Sequence, residues 1–186
     1  MGLIASAGYD TVKVYKKPKV KLIITGNELV EPTKEEIDKA KIINSNQFTI
    51  KAMVEDSGAI CEICHAGDTF DEVKDAVLEA SKDYDVIMTT GGTAISKGDV
   101  VLDVVDDLGE ILFHGVAIRP GKPAGAGIVN GKMVFTFSGQ PVAAMSQFDM
   151  FARKYLFEMQ GRAFDYHIVK RTSELKIPSQ LGRTDF

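Results

Sequence analysis

The stretch Thr89-Thr90-Gly91-Gly92-Thr93 ends an apolar run, and Asp99 follows shortly after, just inside an amphipathic segment. A strand, a Gly-rich turn and a helix start together form a place where backbone N–H groups can reach an anion. Gly91 and Gly92 let backbone come close to a ligand, since any Cβ would obstruct. Thr90, Thr93 and Ser96 add hydroxyl donors, and a helix start contributes roughly half a positive charge. An ordinary strand-to-helix loop has the same outline, so other segments must weigh in. Thr25-Gly26-Asn27-Glu28 closes an earlier apolar run, and Gly67-Asp68 closes another. Arg119-Pro120-Gly121-Lys122-Pro123 sets two cations on a stiffened loop, and Ser138-Gly139-Gln140-Pro141 ends a further run, with the amides of Gly139 and Gln140 as donors. Turn chemistry does not require Lys122, Arg119, Glu28 or Asp99. The joint chemistry is capture of an anionic, phosphorylated ligand. Two plainer readings stay open: a solvated surface turn at Arg119–Pro123, and helix-dipole stabilisation at Asp99 worth about 0.3–1 kcal/mol.

The elements that must position these residues alternate along the chain. "VKLIITG" (20–26), "AICEICHAG" and "DVIMTTGG" read as strands, and "EILFHGVAI" as one continuous strand. "AGAGIV", Asn130-Gly131 and "KMVFTFSG" form a hairpin with a tight-turn signal. Helices are expected from about Ser45, from Thr69-Phe70-Asp71-Glu72 with capping-box spacing, from about Gly98 to Leu108, and from Pro141 to Gly161 with proline at the first helical position. Met145, Phe148, Phe151 and Tyr155 recur at helical spacing as core or interface. Alternation of this kind implies an α/β three-layer sandwich with a mostly parallel sheet and one antiparallel hairpin. In such a sheet ligands bind beyond the carboxyl ends of the strands, where the residues above are expected. Residues 1–19 read as the end of a preceding region and a linker, 20–161 as one domain, and 162–186 as the start of another, its short extended pieces lacking visible partners.

Composition narrows the chemistry. With 186 residues, 45% of them hydrophobic, the chain can bury one substantial core. A net charge of −4 argues against a general nucleic-acid partner. No apolar stretch has membrane-span length and no signal-peptide pattern opens the chain, so a cytoplasmic protein is expected. Cys61 and Cys64 stand three apart on a strand and therefore face opposite ways, which suits two partly buried structural thiols better than a chelate. His65, His114 and His167 accompany no nucleophile elbow or zinc motif and read as packed or surface residues, with His65 near the site edge.

"TGNEL", "NSN", "GG…GD", "RPGKP" and "SGQPVAA" occur in the order and approximate spacing of the molybdopterin-binding domain. The chain thereby resembles the MoeA-type molybdopterin molybdenumtransferases and the gephyrin E domain, over roughly residues 3 to 186. The resemblance implies binding of adenylylated molybdopterin and molybdate insertion, with Mg²⁺, in a homo-oligomer (dimer or trimer). It places pterin and phosphates on Thr90, Gly91, Gly92, Thr93, Ser96, Ser138, Gly139 and Pro141, with Gly26, Asn27 and Asp68 beside them. Lys122 and Arg119 would hold molybdate or phosphate oxygens, and Asp99 and Glu28 the metal ion or the attacking group. "TTGGT" is closer to the MogA and MoaB adenylyltransferases, so adenylylation is the alternative activity; a non-catalytic molybdopterin-binding or scaffold module is another. A dinucleotide domain is disfavoured, as no GxGxxG follows the first strand.

Overall fold

The computed structural model describes residues 2–30, 32, 42–91, 99–166, 169, 172, 182 and 184–185. Its elements are α1 (Gly2–Ser6), β1 (Lys19–Thr25), β2 (Leu29–Val30), β3 (Ile42–Ile43), α2 (Asn46–Asp56), β4 (Ile60–Ala66), α3 (Phe70–Asp83) and β5 (Val86–Thr90). They continue with α4 (Val100–Leu108), β6 (Gly109–His114), β7 (Ile118–Arg119), β8 (Gly125–Val129), β9 (Lys132–Phe137), α5 (Pro141–Gln147), α6 (Arg153–Met159) and β10 (Thr184–Asp185).

Strand β1 explains the layering. Its alternation sends Val20, Leu22 and Ile24 to one face and Ile23 to the other. The first face packs on α2 through Ile50 and Val54 and on the last helix through Phe148 and Leu156. The second packs on α3 through Val73 and Val77 and on α4 through Val101, Val104 and Val105. Both faces are covered, which is why β5 is buried along its whole length. The strand order is β4-β1-β5-β9-β8-β6. β4, β1, β5 and β9 run parallel, and β8 is antiparallel to both β9 and β6. The expected three-layer sandwich with one hairpin is the architecture found.

Because β8 reverses direction between β9 and β6, β6 runs the same way as the parallel strands. The end of β6 and the beginning of β8 therefore lie on the carboxyl side of the sheet. The loop that carries Arg119 and Lys122 joins them there. Local chemistry supports these elements. Thr69 and Glu72 form a reciprocal capping box, Pro141 occupies the start of α5, and Asn130 and Gly131 turn the hairpin with φ of 50° and 73°.

Three expectations change. The strand over 110–118 breaks after His114: Gly115 takes φ +79°, and the backbone folds back so that Val116 N–H donates to the Lys122 carbonyl at 2.9 Å. The last helix is not uniformly α; Phe148–Ala152 forms a π-helical turn between α5 and α6. Within the C-terminal piece, Thr184 and Asp185 pair in parallel with Ile118 and Arg119, a contact with no periodic signal in the sequence. The cysteines fall as expected: Cys61 joins the α2 side and Cys64 packs towards the α3 side. Burial pushes the Cys61 thiol up to about 12 and raises that of Cys64. In the last helix Phe148 is fully buried and Phe151 and Tyr155 pack against the core, whereas Met145 is exposed.

Candidate functional site

A cleft of about 350 Å³ opens at the carboxyl ends of β1 and β5. Ile24, Thr25 and Glu28 line one wall, Thr90 and Gly91 the back, and Gly139, Gln140 and Pro141 another side; Asn44, Ser45 and Asn46 complete it at the start of α2. Asn46 is the joint of this construction. Its Nδ2 donates to Thr90 Oγ1 at 2.7 Å and to the Gly139 carbonyl at 2.9 Å. Thr90 Oγ1 in turn donates to the Ser138 carbonyl at 3.1 Å. Two strand ends and a helix start are thus fastened by one side chain, itself buried.

Unsatisfied polar capacity borders the same cleft. Thr25 Oγ1, Asn44 Nδ2 and Asn46 Oδ1 are buried without a hydrogen-bond partner among the described residues. A buried polar group without a partner costs about 1–3 kcal/mol, and native proteins keep few of them. Asn44 uses its other end as a helix cap, its Oδ1 accepting from Gln47 N–H at 3.2 Å. This leaves Ser45, the residue before α2, without a capping bond of its own.

The glycine turn has an internal reason as well. Gly91 has φ +96°, and a Cβ there would sit 2.3 Å from the Thr25 carbonyl oxygen. Its missing side chain lets β5 pass the end of β1; close approach to a ligand is not needed to explain it. Gly26, at φ +136°, lies under the Glu28 carboxylate, with a Cβ 2.8 Å from Oε1. Ser138 and the backbone of Gln140 are partly occupied, because Gln140 N–H donates to Ser138 Oγ at 3.2 Å. The Gln140 amide is therefore not the open donor expected from the sequence.

The structure brings Glu28, Thr90, Gly91, Gly139 and Pro141 together around the cleft, with Ser138 behind. Asn27 lines an adjoining recess with Gly26 and His65, and its N–H donates to Asp68 Oδ2 at 2.9 Å. Gly92, Thr93 and Ser96 lie outside the described residues. Asp99, Arg119 and Lys122 do not line the cleft. Arg119 and Lys122 are exposed on the β6–β8 side of the sheet's carboxyl edge, and neither has an ion-pair partner among the described residues.

Asp99 caps α4: its Oδ1 accepts from Leu102 N–H at 3.1 Å. Its Oδ2 is buried without a hydrogen bond among the described residues, and His114 Nε2 stands 3.8 Å away. Burial raises the carboxyl above its ordinary range, against the opposing pull of the Leu102 N–H and of His114. The placement of His114 beside this carboxylate was not legible in the sequence, where it reads as packed or surface. Asn44, Asn46 and Gln147 also escape single-residue reasoning. The available signal was a run of polar residues, Asn44 to Gln47, where a helix should begin burying its face.

A family model described as a probable molybdopterin binding domain matches residues 21–158. The chain belongs to this family. A Methanocaldococcus jannaschii protein named for molybdopterin biosynthesis is 37% identical over the whole chain, which spans 47% of that relative. The molybdopterin molybdenumtransferase of Staphylococcus aureus is 34% identical over 87% of the chain and 39% of its own length. The crystal structure of a MoeA molybdopterin biosynthesis protein from Pyrococcus horikoshii superposes with a TM-score of 0.75 at 32% identity, covering 99% of this chain and 44% of that one. MoaB of Thermus thermophilus, at 15% identity and a TM-score of 0.57, shares the fold alone. The chain thus spans less than half the length of these MoeA-type relatives, and the molybdopterin-binding domain occupies most of it.

Proposed function

We propose that this chain is the molybdopterin-binding part of a molybdenum cofactor biosynthesis protein of the molybdenumtransferase type. It would bind adenylylated molybdopterin and support molybdate insertion. The observation that carries the reading is the cleft at the ends of β1 and β5, inside the matched molybdopterin-binding domain. Its wall holds Thr90, Gly91, Gly139 and Pro141 together with buried amide and hydroxyl groups whose hydrogen-bonding capacity is unspent among the described residues. A pterin ring, with donors and acceptors along one edge, would use that capacity. Gly92, Thr93 and Ser96 belong to the same proposal through the loop that follows Gly91.

Arg119 and Lys122 would take the anionic part, phosphate or molybdate oxygens, as exposed cations on the same side of the sheet. Asp99 and Glu28 are proposed as oxygen donors for Mg²⁺, with Asp68 and Asn27 at the margin. The fit rests on Asp99, whose buried Oδ2 has no hydrogen bond among the described residues. Either carboxylate, completed by water and phosphate oxygens, would suit Mg²⁺, which rarely fills an all-protein cage. The described residues hold no cluster of three or more His, Cys, Asp or Glu. When bound, the ion would neutralise charge on the pyrophosphate during cleavage.

The organisation follows the same reading: 1–19 as the end of a preceding region, 20–161 as the molybdopterin-binding domain and 162–186 as the opening of a further β domain. Exposed Phe48, Val142 and Met145, on the helices whose first residues border the cleft, support a homo-oligomer. No helix among the described residues is long and apolar enough to cross a membrane, and a cytoplasmic setting accords with that. The test is incubation first with molybdopterin and ATP, then with adenylylated molybdopterin, Mg²⁺ and molybdate. AMP release only with molybdate supports the transferase, adenylylation of molybdopterin by ATP supports the alternative, and binding without either supports a binding module. No binding of any pterin overturns the proposal.

A further inference from the structure

A glutamine amide carries one acceptor and two donors, so a fully buried glutamine must find partners on both ends. Gln147 is fully buried at the last position of α5. Its Oε1 accepts from Ser138 N–H at 2.7 Å and its Nε2 donates to the Gly121 carbonyl at 2.8 Å. The two backbone groups fix the orientation of the amide, because one can only donate and the other can only accept. Gly121 also rests on the stem of the side chain: a Cβ there would lie 3.1 Å from Gln147 Cγ, and the residue sits at φ +116°.

These partners belong to two different segments. Ser138 adjoins the cleft and is tied through Thr90 to Asn46. Gly121 lies between Arg119 and Lys122, which stay outside the cleft lining. The Gly121 carbonyl also accepts from Ala124 N–H at 3.2 Å, and the Lys122 carbonyl accepts from Val116 N–H. A continuous chain of hydrogen bonds therefore runs Asn46, Thr90, Ser138, Gln147, Gly121. Among the described residues, Gln147 joins its two halves. Directly after it the helix widens into the π turn Phe148–Ala152, a local irregularity often found at functional sites.

We propose that Gln147 is a positioning residue that holds the Arg119–Lys122 loop in register with the Ser138–Gly139 edge of the cleft. A ligand seated in the cleft then meets both cations with its anionic end. The inference rests on the reading of the cleft as a pterin site. It adds which residue couples the anion-binding loop to that site.

The experiment titrates two probes, inorganic pyrophosphate and an unsubstituted pterin, into the wild type, Q147M, K122A and the double variant. Methionine fills the same volume without either hydrogen bond. Q147M should weaken pyrophosphate binding about tenfold, within the range shown by residues sharing one hydrogen-bond network, and leave pterin binding near the wild-type value. In the double variant the effect of Q147M should shrink, since one of the two cations it positions is gone; a purely structural role would add in full instead. Amide exchange at Ser138 should rise in Q147M. If Q147M does not fold, Q147E takes its place, keeping an acceptor for Ser138 N–H while setting a second acceptor against the Gly121 carbonyl. Wild-type pyrophosphate affinity in a folded variant, or full additivity with K122A, overturns the inference while the pterin reading stands. A wild type that binds neither probe overturns both.

Discussion

Replacing Asp99 separates its capping role from its charge. Asparagine is as good an N-cap as aspartate, so Asp99→Asn keeps an oxygen for Leu102 N–H at the present 3.1 Å. Asp99→Ala loses that bond, at a cost of about 1 kcal/mol, or a fall in Tm of about 2–4 °C for a chain of this size. The charge acts in the other direction. Burial holds the folded carboxyl above its ordinary pKa, even against the Leu102 N–H and His114. Between the ordinary value, about 3.9, and the raised folded value, the native state binds more protons than the unfolded chain. Wild-type stability therefore declines as pH rises through that window and this contribution is flat above it. Asp99→Asn removes the decline. At neutral pH it should be at least as stable as the wild type, with Asp99→Ala clearly below Asp99→Asn. Thermal unfolding of the three proteins at pH 4 and pH 7, read beside Mg²⁺-dependent AMP release, tests this. The asparagine variant should fold normally and lose turnover. If it is destabilised at pH 7 as much as the alanine variant, the carboxylate charge is itself stabilising and the reasoning is refuted.

Lys122→Ala should weaken pyrophosphate binding by roughly tenfold or more at low salt, as expected for a charge-assisted contact, and the loss should shrink as salt rises; titration at two ionic strengths checks both. Gly91→Ala should cost at least about 1–3 kcal/mol from backbone strain alone, with further loss as its Cβ meets the Thr25 carbonyl; a denaturant midpoint equal to the wild type would show that the turn adapts. Cys61, with its thiol raised to about 12 by burial, should resist alkylation at pH 8 in the native protein and react readily once unfolded; mass spectrometry after timed labelling decides it.

The layering and the glycine- and proline-marked turns were legible because they follow from local rules. Thr69 with Glu72, Asn130-Gly131 and Pro141 each announce their structure within a few residues. The break after His114 was less visible, since "EILFHGVAI" is largely apolar and only the fold-back to Lys122 shows why Gly115 interrupts it. The site divides in the same way. Strand-end residues such as Thr90, Gly139 and Glu28 are found by knowing where a parallel sheet binds ligands. Asn46 and Gln147 are not, because their roles depend on partners 44 and 26 residues distant in sequence. Gly91 also meets a demand its own motif does not mention, set by Thr25, a neighbour in space.

The position of β1 bears on how the protein is made. It is the first strand of the main sheet to be synthesised, yet it lies between β4 and β5. Its apolar residues Leu22, Ile23 and Ile24 cannot be enclosed until residue 90 has been translated. Ribosomes add about 5–20 residues per second, and 65 residues separate Thr25 from Thr90, so the strand waits on the order of 3–13 s without its second partner. Until β4 emerges the apolar strand has no partner, and until β5 emerges one of its edges stays open to other nascent chains. The hairpin of β8 and β9 can close as soon as it emerges, whereas the centre of the sheet is assembled from the outside inward and late.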